Sequence, residues 1–205
     1  MVHILVRGNA SWVKLRGGYM INKTRMKLIE QVAKSSIYPE LQGTFKRGKN
    51  WIVTNGIIVL YFKEKPDLPI VKGKDYDYDS ILDMPLGCCD APPPDIDVLK
   101  QIVKEAKYTG EDGITYLPYE VFPNIFVNPK LLLDMVKIFP KLYAINYTDG
   151  WRPIVFIDDD IDSPDNYGAL FTIRKDVHMP YISLVDGEYE IINPNMGEKT
   201  KQEEI

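Results

Sequence analysis

An α+β fold is predicted for this chain, with two helix-plus-antiparallel-strand repeats and an inserted segment between them. Three observations lead there. Amphipathic helical periodicity recurs in three separate stretches, short strand-like runs are punctuated by hairpin turn residues, and one order of elements occurs twice. An aromatic share of 11%, including thirteen Tyr, favours strands, because aromatic side chains suit a pleated, half-buried surface.

Taken in order, the opening residues read as two short strands, 3–7 and 11–15, joined at Gly8-Asn9. Asn22 is the expected N-cap of a first helix over 23–34, with Leu28, Ile29, Val32 and Ala33 on its apolar side. Ser35-Ser36 and Pro39 stop it. Strands are expected over 41–46 and 50–54 around Arg47-Gly48-Lys49. The pair 51–54 and 57–62 flanks Asn55-Gly56, which predicts a type I′ hairpin because both central residues tolerate positive φ. Prolines punctuate 64–95, which reads as loop or extended cover. A second helix is expected from Asp95 to Lys107, with Ile96, Leu99, Ile102, Val103 and Ala106 on one side, then short strands over 108–125.

Asn128-Pro129 should open a third helix running to about Phe139, since Pro suits the first helical position. Strands are expected over 142–147, 154–157 and 169–174. A last hairpin, 181–185 with 188–192, turns at Asp186-Gly187. The expected organisation is a first half over 1–63, an inserted loop-rich segment with one helix over 64–125, a second half over 126–192, and a mobile tail over 193–205. The two halves would be related by a pseudo-twofold.

Composition bounds the function. Hydrophobic residues at 45% and charged residues at 26% are ordinary for a globular chain. The net charge of −4 provides no overall basic field, so a nucleic-acid surface would have to be local. Cys88 and Cys89 are adjacent and supply no disulfide framework, which suits a reducing, cytoplasmic setting. No apolar stretch approaches the roughly 18 residues that span a bilayer, so no membrane partner is expected.

The helices carry lysines in stripes. At about 100° per residue, Lys23, Lys27 and Lys34 share one face of the first helix with Glu30 among them. Lys130, Lys137 and Lys141 form a similar stripe with Asp134 if the helical register survives Pro140, opposite Leu131, Leu132, Met135, Val136 and Phe139. Surface helices ordinarily turn lysines outward, and Lys100, Lys104 and Lys107 of the second helix do the same. The sharper expectation is that the two stripes contact DNA phosphates without reading bases.

The first repeat resembles the DNA sliding clamps, the bacterial polymerase processivity factors. The resemblance lies in Leu28-Ile29-Glu30-Gln31-Val32-Ala33-Lys34-Ser35, in Pro39-Glu40-Leu41-Gln42-Gly43, and in Trp51-Ile52-Val53-Thr54-Asn55-Gly56. The second repeat is similar in Val127-Asn128-Pro129-Lys130-Leu131-Leu132-Leu133-Asp134 and in a last strand, Leu170-Phe171-Thr172-Ile173-Arg174. Thr54, Asn55 and Gly56 stand at the clamp-like turn, where the family usually has Asp in place of Asn55. Ile57-Ile58-Val59-Leu60 follows without the family's arginine. The resemblance implies a non-catalytic DNA-clamp fold, phage-like in its divergence. It implies sequence-independent binding of double-stranded DNA, replication proteins as partners, and a homo-oligomer if a ring forms. A protein-interaction module that has lost DNA binding is the first alternative.

Catalytic patterns are missing from the sequence. Asp158, Asp160 and Asp162 could serve a metal-dependent enzyme, the second alternative, but Pro164 and Ala169 break the calcium-loop pattern. Cys88 and Cys89 with His3 or His178 lack zinc-ligand spacing. There is no phosphate-binding glycine loop and no nucleophile elbow. No cofactor and no metal are expected.

Overall fold

The structure is a computed structural model that describes residues 12–14, 20–74, 89–91, 95–110, 113–139, 141–144, 153–157, 166–174, 179–185 and 188–194. The fold is α+β, with antiparallel sheets, and the chain forms two compact units, Met1–Asp75 and Tyr76–Ile205.

In the first unit, β1 (Trp12–Lys14) pairs antiparallel with β2 (Met20–Asn22), which leads straight into α1 (Lys23–Lys34). The helix has the expected bounds. Ile29, Val32 and Ala33 are buried, and α1 packs against β4 (Asn50–Thr54). Pro39–Leu41 forms one turn of 3-10 helix instead of opening a strand, because Pro39 supplies a helical φ where its missing N–H costs nothing. The meander therefore starts later, at β3 (Phe45–Arg47), and continues through β4 to β5 (Ile58–Phe62). Every side chain of β5 is buried, so this strand is the unit's centre.

The segment after β5 packs back onto the same unit. The Thr44 N–H donates to the Pro69 carbonyl at 2.8 Å, and the Val71 N–H donates to the Thr44 carbonyl at 2.9 Å. Residues 69–71 thus pair with Thr44 of the first unit, which extends to Asp75, where the sequence reading ends the first half at 63.

The second unit contains β6 (Cys89–Ala91), α2 (Ile96–Ala106), and the hairpin β7 (Lys107–Gly110) and β8 (Gly113–Tyr116). β9 (Tyr119–Phe122) and β10 (Ile125–Val127) precede α3 (Pro129–Ile138). β11 (Lys141–Ala144), β12 (Ile154–Ile157) and β13 (Asn166–Leu170) follow, with β14 (Tyr181–Val185) and β15 (Glu188–Ile192) last. Strands β11, β12 and β13 form an antiparallel meander, and β6 adds to its β11 edge. A second sheet runs β10-β9-β14-β15, with a single parallel step between β14 and β9. Of the strands between 89 and 127, β6, β9 and β10 thus join strands of the second half, while β7 and β8 form a two-stranded sheet of their own.

Two helix caps follow the sequence closely. The Asp95 carboxylate accepts from the N–H groups of Asp97 at 2.7 Å and Val98 at 3.2 Å. The Asn128 side chain accepts from Lys130 at 2.9 Å and Leu131 at 3.3 Å, with Pro129 in the first turn. Helix α3 packs against both α2 and β13, so it buries more than one stripe. Leu133 and Ile138 are buried along with Leu132, Met135 and Val136, while Leu131, expected on the apolar face, stays partly exposed.

The strand expected at 169–174 is shifted. β13 ends at Leu170, and Ile173 instead donates its N–H to the Phe126 carbonyl at 2.7 Å. Phe171–Arg174 is therefore not a last strand of the clamp-like kind. The strand proposed at 3–7, the turn at Asp186-Gly187 and most of the tail lie outside the described residues.

Candidate nucleic-acid interface

Helix α1 presents Lys23, Lys27 and Lys34 on its exposed side, opposite the buried Ile29, Val32 and Ala33. A helix with one apolar face seated on a strand must turn its remaining residues outward, so the stripe follows from the periodicity. Lys34 pairs with Glu30 at 2.6 Å in the i, i+4 relation, which leaves Lys23 and Lys27 as the forward cations of the face.

The second stripe is weaker. Lys130 is bonded to the half-buried Asp134 one turn on, while Lys137 is exposed. Helix α3 ends at Ile138, with Phe139 as its C-cap in extended conformation. Lys141 lies in β11, opposite Ile157, so the helical register does not reach it and it adds nothing to a helical stripe.

Thr54, Asn55 and Gly56 do form a tight turn, but not the type I′ hairpin that Asn-Gly predicts. Gly56 has φ +94°, whereas the backbone of Asn55 is not in the positive region. Side chains build this turn. The Asn55 Oδ1 accepts from the N–H groups of Ile57 at 3.0 Å and Ile58 at 2.8 Å. The Thr54 hydroxyl donates to the Ile58 carbonyl at 2.6 Å and accepts from the Gly56 N–H at 3.0 Å. These side-chain bonds, an Asx-turn among them, stand beside one backbone bond, in which the Asn55 N–H donates to the Ile58 carbonyl at 3.3 Å, and Thr54 pairs with Val59.

Division of the chain at Asp75 exposes a signal that whole-chain charge conceals. Residues 1–75 carry 14 Lys and Arg against 5 Asp and Glu, a formal charge of +9. Residues 76–205 carry 11 against 24, a formal charge of −13, and the two values return the whole-chain −4. Cations of the first unit outside α1 include the exposed Lys46, Lys49 and Lys72. Lys74 sits 3.1 Å from the centroid of the Tyr38 ring and pairs with Glu40 at 3.6 Å.

Asp158, Asp160, Asp162, Cys88, His3 and His178 lie outside the described residues. Among the described residues there is no group of three His, Cys, Asp or Glu placed to hold a metal ion. No helix among them is long and apolar enough to cross a membrane. Comparison with known proteins gives no matching family model and no matching curated relative.

Proposed function

We propose that this chain is a non-catalytic protein that binds the DNA backbone without sequence specificity, as a clamp-like replication or processivity accessory factor. The observation that carries the reading is the cationic face of α1, with Lys23, Lys27 and Lys34 outward, set in a unit of formal charge +9. A local positive field of this kind attracts polyanions even when the whole chain is acidic. Phosphate contacts made by lysine position a protein on the duplex and carry no sequence information.

The clamp-like part of the reading is supported by element order. Helix α1 precedes the meander β3-β4-β5, and helix α3 precedes the meander β11-β12-β13. Under this reading the two are copies of one unit, and a ring would require several chains. The second unit, at formal charge −13, contributes Lys137 at most, so the contact is assigned chiefly to α1.

Binding of the full chain to two blunt duplexes of unrelated sequence, followed by fluorescence anisotropy at low and moderate salt, tests the proposal. Equal affinity for both sequences that falls steeply with salt is expected. Absence of binding at low salt would overturn it.

A protein-interaction role is favoured by a different observation. Ile37 is 82% exposed and Ile57 is 49% exposed, each two residues beyond a partner in the Ser35–Asn55 hydrogen bond. Pull-down with replication proteins, set against a duplex-binding control, separates this role from DNA binding.

A further inference from the structure

The hairpin β3-β4 in the first unit has a short, fixed tip. Arg47 pairs with Asn50, so only Gly48 and Lys49 lie between the strands. Gly48 has φ +54°, the conformation that a two-residue turn of the II′ kind requires at its first central position. An ideal Cβ at Gly48 would meet nothing within 4 Å, so the tip stands clear of the rest of the unit.

One face of this hairpin is buried, with Phe45 opposite Ile52 at 5% and 1% exposure. Because side chains alternate along a strand, the next pair, Lys46 opposite Trp51, faces the other way. Lys46 and Lys49 are exposed and Trp51 is partly exposed. Directly paired residues hold their Cβ atoms about 4.5–5.5 Å apart, so the indole and the ammonium group share one patch. A cation beside an accessible aromatic ring is the minimal arrangement that engages both parts of a nucleotide, the phosphate by charge and the base by stacking.

We propose that the β3-β4 hairpin is a contact for single-stranded nucleic acid, in which Lys46 and Lys49 hold phosphates and Trp51 stacks on an unpaired base. A blunt duplex keeps its bases stacked on one another and offers Trp51 no free base face. The tip is therefore a site distinct from the α1 face, although it draws on the same first-unit charge that supports the duplex reading.

The test uses the full chain with an oligothymidylate and, separately, with a blunt duplex. Oligothymidylate should quench tryptophan emission in the wild type and leave Trp51→Phe emission largely unchanged. Trp51→Ala should weaken oligothymidylate binding about tenfold, the scale of removing a single stacked base. Lys46→Gln with Lys49→Gln, both at exposed positions that do not threaten folding, should make the salt slope shallower by about 1.4, since each single-strand phosphate no longer neutralised removes about 0.7. Affinity for the blunt duplex should change little in Trp51→Ala. Oligothymidylate that fails to bind, or that binds with no Trp51-dependent quenching and an unchanged salt slope in the lysine variant, would overturn the proposal. If the duplex does not bind and the oligothymidylate quenching persists, the α1 reading falls and the hairpin contact stands.

Discussion

The side-chain amide of Asn55 donates to the Ser35 hydroxyl oxygen across 2.9 Å, tying the β4-β5 turn to the residue that follows α1. Ser35 in turn donates to the Val32 carbonyl at 2.9 Å, one of the acceptors left open at the helix end. One short relay thus joins helix terminus and sheet turn within the first unit. A double-mutant cycle on Ser35→Ala and Asn55→Ala should give a coupling of about 0.5–1 kcal/mol, as befits an exposed hydrogen bond. Asn55→Ala alone should cost more than Ser35→Ala, because it also removes the acceptor for Ile57 and Ile58. Urea denaturation of the three variants measures both quantities, and strictly additive effects would show that the two groups do not interact.

Gly43 lies where two backbone segments approach closely. A Cβ there would fall on the Pro69 carbonyl oxygen and within 2.7 Å of the Val71 Cγ1. Gly43→Ala should therefore destabilise the protein by about 1–3 kcal/mol, the usual cost of overpacking. The thermal midpoint reports it, and an unchanged midpoint would mean that residues 69–71 do not pack on the first unit.

Helix α3 depends on its cap. Asn128 satisfies two N–H groups of the first turn, so Asn128→Ala should cost about 1 kcal/mol and Asn128→Ser much less. Denaturant midpoints of the pair test the cap separately from side-chain volume.

Alkaline pH should weaken the second unit through Tyr119. Its side chain is buried in β9, and burial holds the phenol above its ordinary pKa. The folded chain then keeps this proton to higher pH than the unfolded chain does. The contribution is complete below about pH 10 and is lost as pH rises through the folded-state value. Between pH 9 and 11 the wild type should lose more stability than Tyr119→Phe, measured by urea midpoints at each pH. Equal losses would contradict the assignment.

Much of the fold was legible because local signals and packing agree. Asn128-Pro129 opens α3 as cap chemistry requires, and the spacing of Ile29, Val32 and Ala33 marks the face of α1 that is buried. Where side chains compete with the backbone, local pattern misleads. Asn-Gly points to a type I′ turn, yet the carboxamide of Asn55 and the hydroxyl of Thr54 supply most of the turn's bonds. Tertiary pairing was equally hidden. Phe171–Arg174 has strand-like composition, but Ile173 leaves the meander to pair with Phe126, and the small residues Gly168 and Ala169 take the sheet positions opposite Phe156 and Val155.

The candidate interface was half legible. The α1 stripe follows from periodicity alone, whereas Lys141 joins the second stripe only if helical register survives Pro140, and the chain leaves that register after Ile138. The charge contrast of +9 and −13 was present in the sequence throughout. It emerges as soon as the chain is divided after the first meander, and a boundary at 63 or at Asp75 gives the same values, because Lys65, Lys72 and Lys74 offset Glu64, Asp67 and Asp75.

The salt dependence of duplex binding tests the central claim most directly, because it counts the phosphates engaged by α1. Removing one lysine that neutralises a duplex phosphate should reduce the slope of log K against log salt by about 0.9, so Lys23→Gln with Lys27→Gln should flatten it by about 1.8. Lys137→Gln should leave it nearly unchanged. An identical slope in wild type and the α1 variant, or a flattening confined to Lys137→Gln, would contradict the account.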